Sequence, residues 1–218
     1  MDAISTALTS FKDLSLYEYK FRIAYKKQLY DLELNFDNED FYHCAGLQYL
    51  NDIDIPKNAS KLFREIVNGK ITDDYLEKSK KYPFPKPGID VQKRILHLGV
   101  LRKYIEADNA IWKYVKEQNV GSQINADYMI VSTVDNVEAY IFLRKRSSDP
   151  NDLKYCICSF FVNPIRTYNG AKAYWFYKSK VNLETNEEQI YYQKQRKSSN
   201  MGTGYEKSPH FAGIEKIL

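Results

Sequence analysis

The 218-residue sequence is short of the features that mark most site chemistries. No apolar run approaches the ~20 residues needed to span a membrane as a helix, so no membrane partner is expected. Three cysteines (Cys44, Cys156, Cys158) are an odd number and make no disulfide framework. The three histidines, His43, His97 and His210, are scattered. Together with Cys156-x-Cys158 they fall short of the convergent N and S ligands of a zinc site. Clustered carboxylates for paired magnesium ions are missing too, and neither metal nor cofactor is expected. Gly202-Thr203-Gly204 has no third glycine in register and no strand–turn–helix context, which excludes a dinucleotide loop or P-loop. There is no Gly-x-Ser-x-Gly elbow. Nine glycines and seven prolines exclude a collagen-like or linker-dominated chain. Met1 to Asp13 lack a basic region followed by an apolar one, so no secretory signal is expected. A soluble protein of the reducing cytoplasm is the expectation.

What the sequence has is aromatic residues: 19 Tyr, 11 Phe and 2 Trp. With 44% apolar and 28% charged residues, such a chain can bury a large core and still present phenolic hydroxyls. The net charge of +4 is unevenly spread. Residues 139–182 carry eight basic side chains against Asp149 and Asp152, while the rest of the chain is near balance. Such a segment suits an anionic partner, nucleic acid first among them. It equally suits a sheet edge guarded by Lys and Arg.

Local patterning gives an α+β order. Ile4, Leu8, Phe11 and Leu14 have helical spacing. Tyr17–Tyr25 and Tyr30–Phe36 then alternate apolar with polar residues, which predicts an antiparallel hairpin turning over Lys26–Leu29. Residues 38–117 are expected to be mostly helical. Predicted helices run from about Asp40 to Leu50 after Asp37 or Asn38, from Asn58 to Gly69, after Thr72, from Asp90 to Ala107, and around Ile111–Val115. Tyr82–Gly88, with three prolines, is a connection. Four segments, Tyr128–Val131, Val137–Leu143, Tyr155–Val162 and Ala173–Leu183, predict a C-terminal four-stranded antiparallel sheet. The expected organisation is one domain over residues 1–195 and a polar tail over 196–218.

With metal chemistry set aside, acid–base work remains. On a helix through Leu50, His43 aligns with Leu47 and Leu50 at the rim of the apolar face. It reads either as a core histidine bonded to a backbone carbonyl or as a general acid or base. Arg94 can offer its fork to a phosphate or pair with a helix carboxylate. Ser79 can bond backbone or substrate. Ser159 interrupts an apolar strand face and must find a partner. Asp127 leads a strand, where it can make a turn, a salt bridge to Arg94, or a contact to substrate. Arg144, Arg146, Arg166, Lys172, Lys178 and Lys180 are candidate phosphate contacts. Tyr168, Tyr174 and Trp175 are candidate stacking platforms for bases.

Several of these residues lie in phrases that carry a resemblance. FYHCAGLQYLNDI, SKLFREIVNGKIT, Lys78-Ser79, Arg94-Ile95, Ala126-Asp127-Tyr128 and Ser159-Phe160-Phe161 follow in that order. In this the chain resembles the fourth phage-associated branch of the Barnase–EndoU–colicin–RelE-like nuclease group, from about Tyr17 to Tyr177. The resemblance implies helices packed on a four-stranded antiparallel sheet and a ribonuclease-like, toxin-like activity. It also implies site roles for His43, Ser79, Arg94, Asp127 and Ser159. The expected function is a metal-independent endoribonuclease that uses the 2′-hydroxyl of RNA as nucleophile. The alternatives are a catalytically silent phage or mobile-element protein that inhibits a host factor, or a nucleic-acid-binding module without cleavage. RNA is the expected partner, with a host or immunity protein next, and the host-cell cytoplasm is the setting if a phage encodes the chain.

Overall fold

A computed structural model describes residues 2–82, 90–164 and 166–194. Most of the Tyr82–Gly88 connection and the tail from residue 195, including Gly202-Thr203-Gly204 and His210, lie outside the described residues.

The hairpin forms where the alternation puts it. Strands β1 (Tyr17–Tyr25) and β2 (Gln28–Leu34) pair antiparallel from Tyr19↔Leu34 to Tyr25↔Gln28. The turn is Lys26-Lys27 alone, both residues at positive φ (47° and 63°). That is the geometry of a two-residue turn whose twist matches its strands. Tyr19, Phe21, Ile23, Leu32 and Leu34 are buried. Arg22 faces Asp31 across the ladder and donates to it at 2.6 Å.

Helix α1 (Ala3–Ser15) buries Ile4, Ala7, Leu8, Phe11 and Leu14, one stripe of a 3.6-residue period. The next helix, α2, spans only Asp40–Cys44; Gly46 follows in the left-handed region (φ 77°), then a 3₁₀ turn over Leu47–Tyr49. Neither Asp37 nor Asn38 caps it with a side chain; instead the Asp40 carboxylate accepts the Asp37 N–H. Helix α3 (Ala59–Val67) is capped by Asn58, whose Oδ1 accepts from Lys61 N–H, and closes at Gly69. Thr72 caps α4 (Asp73–Leu76). The helix expected over Asp90–Ala107 is two helices, α5 (Val91–Leu98) and α6 (Leu101–Glu106). They separate at Gly99-Val100, a glycine followed by a β-branched residue, where helix propensity is weakest. The break lets α6 bury Leu101, Tyr104 and Ile105 on its own axis.

The short helix expected around Trp112 is a strand, β3 (Asn109–Tyr114). Its Ile, Trp and Tyr suit a pleated surface, and pairing with a neighbour on each edge decides the conformation. Strands β4 (Tyr128–Val134), β5 (Val137–Lys145) and β6 (Lys154–Val162) make the expected meander. The fourth expected strand does not join them. β7 (Gly170–Asn182) pairs with β1 along one edge and with β3, then β8 (Glu188–Gln193), along the other. The order β1-β2-β6-β5-β4-β3-β7, closed by the β1–β7 pairing, is a seven-stranded barrel rather than a separate hairpin and four-stranded sheet. The thirteen residues of β7 are long enough to serve three partners.

The main core joins the helices to one face of the sheet, with Phe11, Tyr19, Phe41, Leu98, Ile141 and Phe160 among its buried members. A second, aromatic core of Tyr114, Met129, Tyr140, Phe142, Phe161 and Tyr168 occupies the other face of β3–β6.

Candidate active site

The barrel has one thin seam. β2 and β6 run parallel and pair only at Glu33↔Lys154 and Leu34↔Tyr155. Beyond it α2 lies against β6, where the Cys44 thiol reaches the Ile157 carbonyl at 3.6 Å. On the other edge of β6 the register with β5 slips: Phe142 faces Ser159, Leu143 faces Ile157, and Cys158 is the extra residue of a bulge. A bulge bends its strand and re-aims side chains, commonly beside active sites. Here it adjoins a cleft of about 190 Å³ lined by Asp40 and His43 of α2, Arg144 of β5, and Cys156, Ile157 and Cys158 of β6.

His43 is exposed, its ring edge-on to Tyr42 at 5.5 Å. Since α2 stops at Cys44, the alignment with Leu47 and Leu50 is not realised and His43 is not a core residue. Arg144 is exposed and has no ion-pair partner among the described residues. Asp40 is engaged by Arg146 at 2.5 Å; burial raises its carboxyl pKa, opposed by Arg146. Arg146 also holds Asp37 (2.8 Å) and the Asn35 carbonyl (2.9 Å). It therefore clamps α2 to the end of β5 and is not free for a phosphate. Burial pushes the Cys158 thiol up to about 12 and raises Cys156 as well, so both stay protonated and poorly nucleophilic near neutrality.

Arg94 does not reach the cleft surface. It is 1% exposed on α5, its guanidinium 4.1 Å from the centre of the Phe161 ring and 5.2 Å from that of Tyr49. None of its three nitrogens has a hydrogen-bond partner among the described residues. Burial lowers its pKa, and nearby Tyr49 opposes that shift without reaching hydrogen-bond geometry. The ordinary value is so high that the group stays charged. A Cβ on Gly46 would stand 3.0 Å from Arg94 Cδ, so glycine serves both the positive φ and the close approach. Arg94 thus underlies the turn that follows His43.

The remaining candidates are spread over the molecule. Ser79, fully buried, donates to Asp52 at 2.5 Å and accepts the Lys81 N–H at 3.1 Å. The Ser79 bond holds the Asp52 carboxyl below its usual range. Asp127 accepts the Lys145 N–H (2.8 Å) and pairs with Lys113 (3.6 Å), not with Arg94. Because of the bulge, Ser159 lies opposite Phe142 and shares the face of Phe161 rather than that of Tyr155 and Ile157.

The basic segment is also partly internal. Lys178, 3% exposed, donates to the Ala107 carbonyl and Asn109 Oδ1, each at 3.0 Å, and Lys180 pairs with Glu106 at 2.9 Å. Alternation along β7 and the acceptors between the end of α6 and the start of β3 turn both inward, which corrects their expected place on a phosphate-facing surface. Tyr168 is buried in the second core, and Trp175 donates its indole N–H to the Asn109 carbonyl. Arg166 donates to the Val120 carbonyl. Lys172 and Tyr174 are exposed together, the ammonium 5.3 Å from the ring centre. Sequence reasoning had no means of pairing Arg144 with His43, about a hundred positions apart; the i, i+3 spacing of Asp40 and His43 was the readable half of the cleft.

Fold and cleft together define an α+β protein with a closed antiparallel-rich barrel, a histidine and an arginine without an ion-pair partner among the described residues lining one cleft beside its seam. Residues 3–196 match the family described as phage-Barnase-EndoU-ColicinE5/D-RelE like nuclease4, and the chain belongs to that phage-associated nuclease family. No curated protein and no solved structure matches it. No helix among the described residues is long and apolar enough to cross a membrane.

Proposed function

We propose that the protein is a metal-independent endoribonuclease whose reacting pair is His43 and Arg144. The observation that carries this reading is their convergence on one open cleft, each uncommitted to a salt bridge among the described residues. In the proposed reaction the substrate's 2′-hydroxyl loses its proton and attacks the adjacent phosphorus, the bond from phosphorus to the 5′-oxygen breaks, and the products are a 2′,3′-cyclic phosphate and a 5′-hydroxyl that takes up a proton. His43 moves the proton as base or acid, and the Arg144 fork stabilises the charge gathering on the phosphoryl oxygens. Arg94 and Ser79 are positioning residues, the first beneath the Gly46 turn and the second through Asp52. Asp127 and Ser159 support strands β4 and β6. Lys172 and Tyr174 offer a charge and a ring to flanking RNA.

Total RNA incubated with the protein in excess EDTA should be cut by wild type and left intact by His43→Ala. The burial of Arg94 favours the competing reading, a silent scaffold that binds a host factor, because a cation meant for phosphate has been enclosed. Equal inactivity of wild type and His43→Ala would overturn the ribonuclease reading.

A further inference from the structure

A larger cavity, about 740 Å³, opens beside the His43 cleft and runs along residues 48–57. It shares Asp40 and His43 with the smaller one, so whatever fills it is adjacent to the reacting pair. Ligand pockets begin at roughly 300 Å³, which makes room here for an organic ring system rather than for water alone.

Its chemistry is unlike that of a phosphate site. Asp40 is already held by Arg146, which leaves Lys57, the one lysine or arginine in the lining, against the carboxylates of Glu39 and Asp54. Neither carboxylate has an ion-pair partner among the described residues. Gln48 adds a buried Oε1 with no hydrogen-bond partner there. Ile53 supplies apolar surface, and the half-buried Tyr42 ring beside His43 supplies a flat one. The wall is rigid where it needs to be: Ser79 fixes Asp52, Tyr75 donates to the Asp54 carbonyl at 2.8 Å, and Lys81 reaches Asn51 Oδ1. An unmet buried acceptor costs about 1–3 kcal/mol until a donor arrives.

An acceptor-rich, partly apolar pocket next to a phosphate-directed cleft calls for a flat group edged with N–H donors. We propose that this cavity is the base subsite for the nucleoside flanking the scissile phosphate, and that it selects bases with an exocyclic amino group over uracil. The proposal rests on the ribonuclease reading of the neighbouring cleft. Cytosine and uracil test the point, since they have one size and differ at the amino donor of cytosine, a carbonyl acceptor in uracil, and at N3, an acceptor in cytosine and an N–H donor in uracil. Where Gln48 Oε1 and the Asp54 carboxylate stand at the amino position, uracil sets O4 against lone pairs and has only its ring N3–H to offer them.

The test is calorimetric titration of the full chain with 2′-O-methyl tetracytidylate and 2′-O-methyl tetrauridylate, which have no free 2′-hydroxyl and cannot be cleaved through it. Tetracytidylate should bind about tenfold tighter or better, the scale of one base-edge discrimination. Gln48→Met and Asp54→Ala should each shrink that preference toward unity, with unchanged circular dichroism as the check on folding. Equal affinities, or preference for tetrauridylate, would overturn the subsite. A cytidylate preference in a protein that fails to cut RNA in EDTA would uphold the subsite and sink the ribonuclease reading. RNA cleavage with equal affinities would do the reverse.

Discussion

At the scale of single residues, the site depends on groups that are chemically plain but placed by their neighbours. Arg144 is the sharpest case. If it holds the phosphate through its planar fork, Arg144→Lys should keep the charge and still lose most of the rate, because an ammonium does not replace bidentate geometry. Single-turnover cleavage in EDTA should fall by about tenfold or more for lysine and further for alanine. A lysine variant as fast as wild type would reduce Arg144 to a general source of positive potential. Gly46 makes a stability prediction independent of function. Its φ of 77° and the 3.0 Å approach of Arg94 both oppose a side chain. Gly46→Ala should therefore cost about 2–5 kcal/mol, the sum of left-handed strain and overpacking, in urea melts. His43 was legible as an acid–base candidate from the sequence. Its exposure was not, because that followed from Gly46 ending the helix, and a lone glycine within an apolar period reads as tolerated.

At the scale of elements, the short helix α2 has five residues and too few internal hydrogen bonds to stand alone. It is held from outside, by Cys44 at the Ile157 carbonyl and by Arg146 on Asp37 and Asp40. Removing Asp40 leaves the half-buried Arg146 with Asp37 and the Asn35 carbonyl alone, and takes away its bond within α2. Asp40→Ala should lower stability by about 1–3 kcal/mol and loosen the residue three positions on, His43. The check is hydrogen exchange of the α2 amides, which should speed up in Asp40→Ala while those of β4 and β5 stay protected. Uniform acceleration would mean that the clamp serves the whole domain rather than α2. The elements themselves were largely readable: the β1–β2 hairpin, the caps at Asn58 and Thr72, and strands β4 to β6 lie where alternation and capping residues put them. β3 and β8 were not. Ile111-Trp112-Lys113-Tyr114 is too short for its period to separate strand from helix, and β8 forms on an edge that only β7 provides.

At the scale of the whole molecule, closure of the barrel explains why the basic segment is less of a surface than its charge suggested. β7 carries Lys178 and Lys180 toward Ala107, Asn109 and Glu106 because pairing with β1 on one edge and with β3 and β8 on the other fixes which side faces the helices. A register set by distant strands is not written in the local sequence. The burial of Lys178 has a measurable consequence. Desolvation lowers its pKa from the ordinary 10.5 to about 8, against the pull of Asp108 and Glu106. Between those values the unfolded chain binds the proton more fully than the folded one, so stability rises with pH through the window. The contribution is fully present above 10.5 and is lost as pH falls to about 8. Buried tyrosines act in the opposite sense. Tyr19 and Tyr191 are raised chiefly by desolvation, so the unfolded chain releases their protons first once the ordinary tyrosine range near ~10 is reached. The lysine effect is therefore cleanest from about pH 8 to 9.5. Urea unfolding of wild type and Lys178→Met across that interval should show wild type gaining on the variant by on the order of 1–2 kcal/mol. A difference that stays flat with pH would mean that the ammonium keeps its charge inside the fold, carried by the Ala107 and Asn109 oxygens alone.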